Sequence, residues 1–137
     1  MHFEHTKKTK DLMNMVSKFM DDHVHPAEGV YKAQMELFRE EGNPWQVPAV
    51  IYELKNKAKS EGLWNFSLTG ELGYGLSNLE YAPLAEMMGV GWAAEVFNSS
   101  APDAGNMEVL DKYGSEAQKE KWLKPLLEGT MRSAFAM

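Results

Sequence analysis

Apolar residues recur at helical spacing through most of the chain and predict a series of short helices. The first apolar stripe follows steps of three and four residues, which is the spacing of one helix face. The stripe consists of Leu12, Met15, Val16, Phe19 and Met20. We therefore expect a first helix that runs from about Thr6 or Lys7 to Asp22.

Pro26 predicts the start of a second helix, because the first helical position does not need a backbone N–H. Gly42 is a suitable left-handed cap and predicts its end. The apolar positions expected to face the core are Val30 or Tyr31, Met35 and Phe38.

A third helix is predicted from Pro48 to about Glu61, and Gly62 is expected to end it. Its apolar positions are Ile51, Leu54 and Ala58. The turn before this helix contains Trp45, which we expect to anchor it by packing against the core.

Residues 63–75 are rich in aromatic residues and glycine, and we expect an extended, partly buried connection there. Ser77 and Glu80 have the spacing of a capping box, in which each side chain accepts a bond from the other residue's backbone N–H. The next helix is therefore predicted from Asn78 to about Met88. Its expected core positions are Leu79 or Tyr81, Leu84 and Met88.

A polar break follows a short helix that is predicted at Trp92–Phe97. The break, Asn98–Asp103, places many polar groups between apolar helices, and such groups need protein partners, water or a ligand. A helix from about Ala104 to Lys112 comes next, and Gly114 is expected to end it.

The last helix is predicted to start at Glu116, because Ser115 and Gln118 form a second capping box. Pro125 lacks a backbone N–H and is expected to end this helix after about two to three turns. Residues 130–137 then change to a small, apolar, strand-like pattern.

The predicted fold class is all-α, a helical bundle that ends at the start of a strand. At least five predicted helices with short connections support this class. A chain of 137 residues suffices for one domain of this kind.

Charge and composition narrow the class of protein further. The formal net charge is −6, and residues 61–111 hold eight acidic residues with no lysine or arginine. That balance disfavours nucleic acid as a partner, since binding to phosphates depends on cations. Cysteine is absent, and no apolar run approaches the roughly twenty residues of a membrane span. With no secretory signal visible either, the expected location is cytoplasmic.

The residues alone predict neither a metal site nor a catalytic group. Asp21, Asp22, His23 and His25 are close in sequence, but residues two apart do not share a helix face. Gly70, Gly73 and Gly75 lack the strand and the lysine of a phosphate-binding loop. We interpret the first group as solvated helix ends and the second as a flexible turn.

Four ungapped blocks also carry a family resemblance that covers essentially the whole chain. They are Gly62–Asn65, Gly75–Glu86, Ala101–Leu110 and Tyr113–Gly129. These blocks resemble the N-terminal part of acyl-CoA dehydrogenases, most closely the branch of family members ten and eleven. Long ungapped blocks are more specific than any single short motif.

The resemblance implies a flavoenzyme that carries FAD and has an N-terminal helical domain, a middle β domain and a C-terminal helical bundle. Residues 1–129 would form the first domain, and residues 130–137 would begin the second. Such enzymes remove an α-proton from an acyl-CoA with a glutamate while a hydride passes from the β-carbon to flavin N5. The implied partners are acyl-CoA, an electron-transferring flavoprotein and further copies of the same chain.

The resemblance also implies roles for five residues. Phe135 and Met137 would lie near the flavin, and Ser99, Asp103 and Met107 would line the acyl pocket. The catalytic glutamate belongs to a later domain, and the chain ends one residue before the expected Thr-Glu-Pro flavin segment. We therefore expect no activity from this piece alone. The alternative is a self-contained helical interaction or scaffold module without catalysis.

Overall fold

The computed structural model describes residues 4–136 and contains eight α-helices within them. In chain order these are α1 Lys7–Phe19, α2 His25–Glu40, α3 Ala49–Ser60, α4 Asn78–Met88, α5 Ala93–Val96, α6 Asp103–Tyr113, α7 Glu116–Gln118 and α8 Lys124–Glu128. Over the same residues the structure has no β-strand. The all-α prediction is therefore confirmed.

Helices α1 and α2 are joined into one continuous helix, so the prediction of two separate helices in this part of the chain is wrong. A π-helical turn, Met20–Val24, joins them, and the His25 N–H bonds to the Met20 carbonyl five residues back. The extra residue in this turn changes the backbone just before Pro26, whose ring would clash with the preceding turn of a regular helix. The proline is thus accommodated within the helix.

The same arrangement recurs near the C-terminus and corrects a second prediction. Lys119–Leu123 form a π-helical turn between α7 and α8, and the Lys124 N–H bonds to the Lys119 carbonyl. Pro125 therefore lies inside the helix, which continues to Glu128. Gly129 then ends it with a φ of +73°.

Most of the predicted helix boundaries are confirmed to within a few residues. The side chain of Thr6 accepts a hydrogen bond from the Thr9 N–H at the start of α1. The capping box of Ser77 with Glu80 and that of Ser115 with Gln118 both form with reciprocal bonds. Residues 61–77 between α3 and α4 have no regular secondary structure, as predicted for the connection at 63–75.

The main core lies where α1 packs against α4 and α3 packs against α5. Three phenylalanines, Phe19, Phe66 and Phe97, are fully buried at its centre. The predicted core positions Ile51, Leu54, Ala58, Leu84 and Met88 are all buried in this cluster. A second cluster is formed by Leu68, Met107, Leu123 and Leu126 and joins α6 to the last helices.

Helix α2 packs more loosely than predicted, since none of its residues is fully buried. Tyr31 is half-buried and Val30 is exposed, so Tyr31 is the inward residue of that pair. The prediction for Trp45 is wrong, because its side chain is 90% exposed. Val47 packs against the main core in its place.

Candidate functional site at the C-terminal junction

The C-terminal carbonyls of α8 are bound by side chains from distant parts of the chain. Trp64 Nε1 and Asn65 Nδ2 donate to the Leu127 carbonyl at 2.8 and 3.1 Å. Lys59 Nζ donates to the Glu128 carbonyl at 3.1 Å. The last carbonyls of a helix have no partner within the helix, so these bonds fasten its end to the bundle.

Two buried asparagines form the centre of this junction. Asn65 and Asn98 both have left-handed backbones, with φ of 58° and 52°. Asn98 Nδ2 donates to Asn65 Oδ1 at 2.6 Å and to the Leu126 carbonyl at 3.0 Å. Asparagine tolerates this backbone region better than most residues. The polar break at Asn98–Asp103 therefore begins with a side chain whose amide nitrogen donates to protein groups.

A charged network lies beside the asparagines. Lys55 Nζ is 2.9 Å from Glu95 Oε1, and the two side chains are only 8% and 12% exposed. The other carboxylate oxygen, Glu95 Oε2, is 3.0 Å from Arg132 and accepts a bond from the Ser100 hydroxyl at 2.7 Å. Both oxygens of the buried carboxylate are therefore paired, as burial of a charge requires.

Asp103, the first residue of α6, extends the network to the C-terminal segment 130–136. Its side chain is 4% exposed, and Oδ1 accepts bonds from the Ser133 N–H at 2.7 Å and from the Ser133 hydroxyl at 2.6 Å. The second oxygen, Oδ2, is 3.5 Å from Arg132 Nε. Asn106 Nδ2 donates to the Ser133 hydroxyl at 2.8 Å.

Two surface cavities share the Arg132–Glu95 pair as part of their lining. The larger, of about 460 Å³, has apolar walls that include Ile51 and the stacked rings of Tyr31 and Trp92. The smaller, of about 340 Å³, lies against Trp64 and the turn at Gly129. The charged network therefore borders both cavities, together with Val47.

The three residues predicted to line the acyl pocket are all buried. Ser99 donates a hydrogen bond to the Phe97 carbonyl at 3.2 Å. Burial raises the pKa of the nearby Tyr81 phenol, and a hydrogen bond with Ser99 acts in the opposite direction. Met107 is fully buried in the second core cluster, one turn along α6 from Asp103. Their contact with substrate stays a prediction.

The two residues predicted to contact the flavin lie in or beyond the C-terminal segment. Phe135 is 61% exposed and lies two residues after Ser133. Met137 lies outside the described residues. The structure therefore brings Asp103 close to the segment that carries Phe135, a proximity that the sequence spacing did not indicate.

Several residues of the junction were not found from the sequence. Asn65, Lys55, Glu95 and Arg132 come from four separate segments, and their pairing is apparent only in the folded chain. The one signal available for Asn65 was its place in the block Gly62–Asn65. Among residues 4–136, no group of three or more histidine or acidic side chains is arranged to hold a metal ion.

Comparison with known protein families decides where this fold belongs. The model of the acyl-CoA dehydrogenase N-terminal domain matches residues 6–130. The chain belongs to the acyl-CoA dehydrogenase family. It is also 46% identical over its whole length to the Mycobacterium tuberculosis protein named probable acyl-CoA dehydrogenase FadE2. Human acyl-CoA dehydrogenase family member 11 is 45% identical over 98% of the chain.

A solved structure supports the same family at the level of the fold. A protein described as an acyl-CoA dehydrogenase from Mycobacterium abscessus superposes with a TM-score of 0.86 at 46% identity, covering 94% of this chain. This chain spans 33% of FadE2, 33% of the solved chain and 17% of human family member 11. It thus corresponds to the N-terminal domain of longer proteins, which belong to a family of oxidoreductases. No helix within residues 4–136 is both long and apolar enough to cross a bilayer.

Proposed function

We propose that this chain is the helical N-terminal domain of an FAD-dependent acyl-CoA dehydrogenase and forms one side of its acyl and flavin sites. The observation that carries the proposal is the family match over residues 6–130. The matched region is followed directly by the C-terminal segment 130–136, which is bonded to the helical bundle. In this proposal, residues 130–137 begin the middle β domain, where a strand would acquire its pairing partner.

Two features of the C-terminal segment support the proposed flavin contact. Ser133, in its middle, is held by two hydrogen bonds to the buried Asp103 carboxylate, and the Phe135 ring beyond it is largely exposed. An exposed aromatic ring on an anchored backbone fits a flat, apolar ring system. When bound, FAD supplies the acceptor for the hydride that leaves the acyl β-carbon. Phe135, together with Met137, would hold that cofactor.

The substrate side of the site would be formed by the buried face of α6 and the residues before it. Asp103 and Met107 are buried on α6, and Ser99 is buried in the polar break before it, which supports this role. Their role would be to shape the acyl pocket and to exclude water from it, since the acid–base glutamate is expected in another domain. The proposed partners of the complete enzyme are acyl-CoA, an electron-transferring flavoprotein and further copies of the chain, in the cytoplasm.

The proposal also predicts that the isolated chain cannot oxidise an acyl-CoA. We expect purified chain, mixed with FAD, an acyl-CoA and a dye acceptor, to give no oxidation above the protein-free rate. Exposed apolar side chains such as Trp122, Met131 and Phe135 should also cause it to self-associate in light scattering. Robust flavin-dependent oxidation by this chain would contradict the proposal.

The alternative function is a self-contained helical scaffold module. A strictly monomeric chain that binds no hydrophobic dye and is indifferent to FAD would favour that alternative. The match of the whole chain to one third of a probable dehydrogenase gives the dehydrogenase proposal the stronger support.

A further inference from the structure

The carboxylate of Asp103 joins the first turn of α6 to the C-terminal segment. Its side chain is buried, and Oδ1 receives both the backbone N–H and the hydroxyl of Ser133. We propose that Asp103 is a positioning residue that fixes the register of the segment carrying Phe135. The consequence for the cofactor rests on the proposed flavin contact of Phe135.

Two successive residues of the segment, Arg132 and Ser133, both contact Asp103, and each has a second partner. Ser133 is held by Asp103 and by Asn106, whose Nδ2 donates to its hydroxyl at 2.8 Å. Arg132 bridges two carboxylates, at 3.5 Å from Asp103 and 3.0 Å from Glu95. A shift of the segment by one residue would break both sets of contacts and leave the buried Asp103 carboxylate unpaired, which is costly.

The two hydrogen bonds from Ser133 to Asp103, which we call the anchor, lie close in sequence to the ring that they would position. Phe135 follows Ser133 by two residues, a reach of at most about 7 Å along an extended chain. The register of Ser133 therefore limits where the Phe135 ring can be placed. Asp103 acts on that ring only through the backbone, so its carboxylate needs no contact with the cofactor.

Hydrogen exchange in the full chain tests the anchor directly. In Asp103→Ala the Ser133 amide should exchange about tenfold faster, because its acceptor is lost. Asp103→Asn keeps an oxygen at the same place and should show a smaller increase. The control is Asp111→Ala, about two turns along the same helix, which should leave the Ser133 rate unchanged.

Two exchange results would overturn the anchor. One is an unchanged Ser133 rate in Asp103→Ala. The other is an equal rise at core amides such as that of Phe97, which would indicate general destabilisation instead of a local release. If Asp103→Ala does not fold, Asp103→Asn against Asp111→Asn makes the same comparison.

The effect on the cofactor is tested in a FadE2 chimera, in which this chain replaces the matching third of FadE2. Asp103→Ala should change the visible circular dichroism of bound flavin, Asp103→Asn should restore part of the signal, and Asp111→Ala should leave it unchanged. An unchanged flavin signal in Asp103→Ala overturns the positioning role. A chimera with native Asp103 that binds no flavin contradicts the proposed function instead, while the exchange result still decides the anchor.

Discussion

At the scale of single residues, Gly129 shows how closely the chain is packed at the end of α8. Its backbone has a φ of +73°, and a Cβ placed there would lie 2.7 Å from Cζ2 of Trp64. The same indole donates its N–H to the Leu127 carbonyl, so the ring is not free to move away. Glycine is required here both for the backbone conformation and for the space.

Alanine substitutions at two glycines separate these requirements. Gly42 has the same φ of +73°, but nothing lies within 4 Å of the position that an alanine methyl group would take. Gly42→Ala should therefore cost only the left-handed strain, about 1 kcal/mol of unfolding free energy. Gly129→Ala adds the collision with Trp64 and should cost about 3 kcal/mol. Urea unfolding of both variants measures the difference, and equal losses would contradict the packing argument.

Asn98 illustrates what could not be predicted at this scale. The sequence indicated that the polar break needed hydrogen-bond partners, and the side chain of Asn98 has them in Asn65 and the Leu126 carbonyl. Those partners lie 33 and 28 residues away in sequence. No spacing rule links residues so far apart, so the need for partners was predictable and their identity was not.

At the scale of elements, helix ends were predicted well and helix continuity was not. Capping boxes depend on residues three apart, so Ser77 with Glu80 could be recognised from sequence alone. The rule that proline ends or begins a helix failed at Pro26 and Pro125. In both places a π-helical turn ends two residues before the proline, an adjustment that hydrophobic spacing does not indicate.

The capping box of α4 predicts a pH dependence of stability. Hydrogen bonds from the backbone and then the side chain of Ser77 are the main causes that lower the pKa of Glu80. A lowered pKa in the fold means that the stabilisation is present above the unfolded-state pKa. It is lost as pH falls through the lower pKa of the folded protein.

Glu80→Gln tests this dependence, since glutamine keeps an acceptor oxygen but has no charge. We expect the variant to be less stable than the native chain near neutral pH and the two to converge in the acid range. Chemical unfolding at a series of pH values measures this, with Glu86→Gln on the exposed face of the same helix as control. A constant difference between Glu80→Gln and the native chain at every pH would contradict it.

At the scale of the whole molecule, the helical class and most core positions followed from periodicity, because one apolar face per helix must be buried. The charged junction did not follow, since Lys55, Glu95 and Arg132 come together only when α3, α5 and the C-terminal segment pack. The same junction ties the segment carrying Phe135 to the bundle. The resemblance named Phe135 as a flavin contact, and the structure adds the anchor two residues before it.

The central proposal is that this chain acts as the N-terminal domain of a flavin-dependent acyl-CoA dehydrogenase. The most direct measurement is acyl-CoA oxidation by the FadE2 chimera, with bound FAD quantified in the same preparation. We predict flavin-loaded chimera that oxidises an acyl-CoA accepted by FadE2 within about tenfold of the FadE2 rate, since at 46% identity the domain should pack in the same place. A folded, flavin-loaded chimera without oxidation would contradict the proposal.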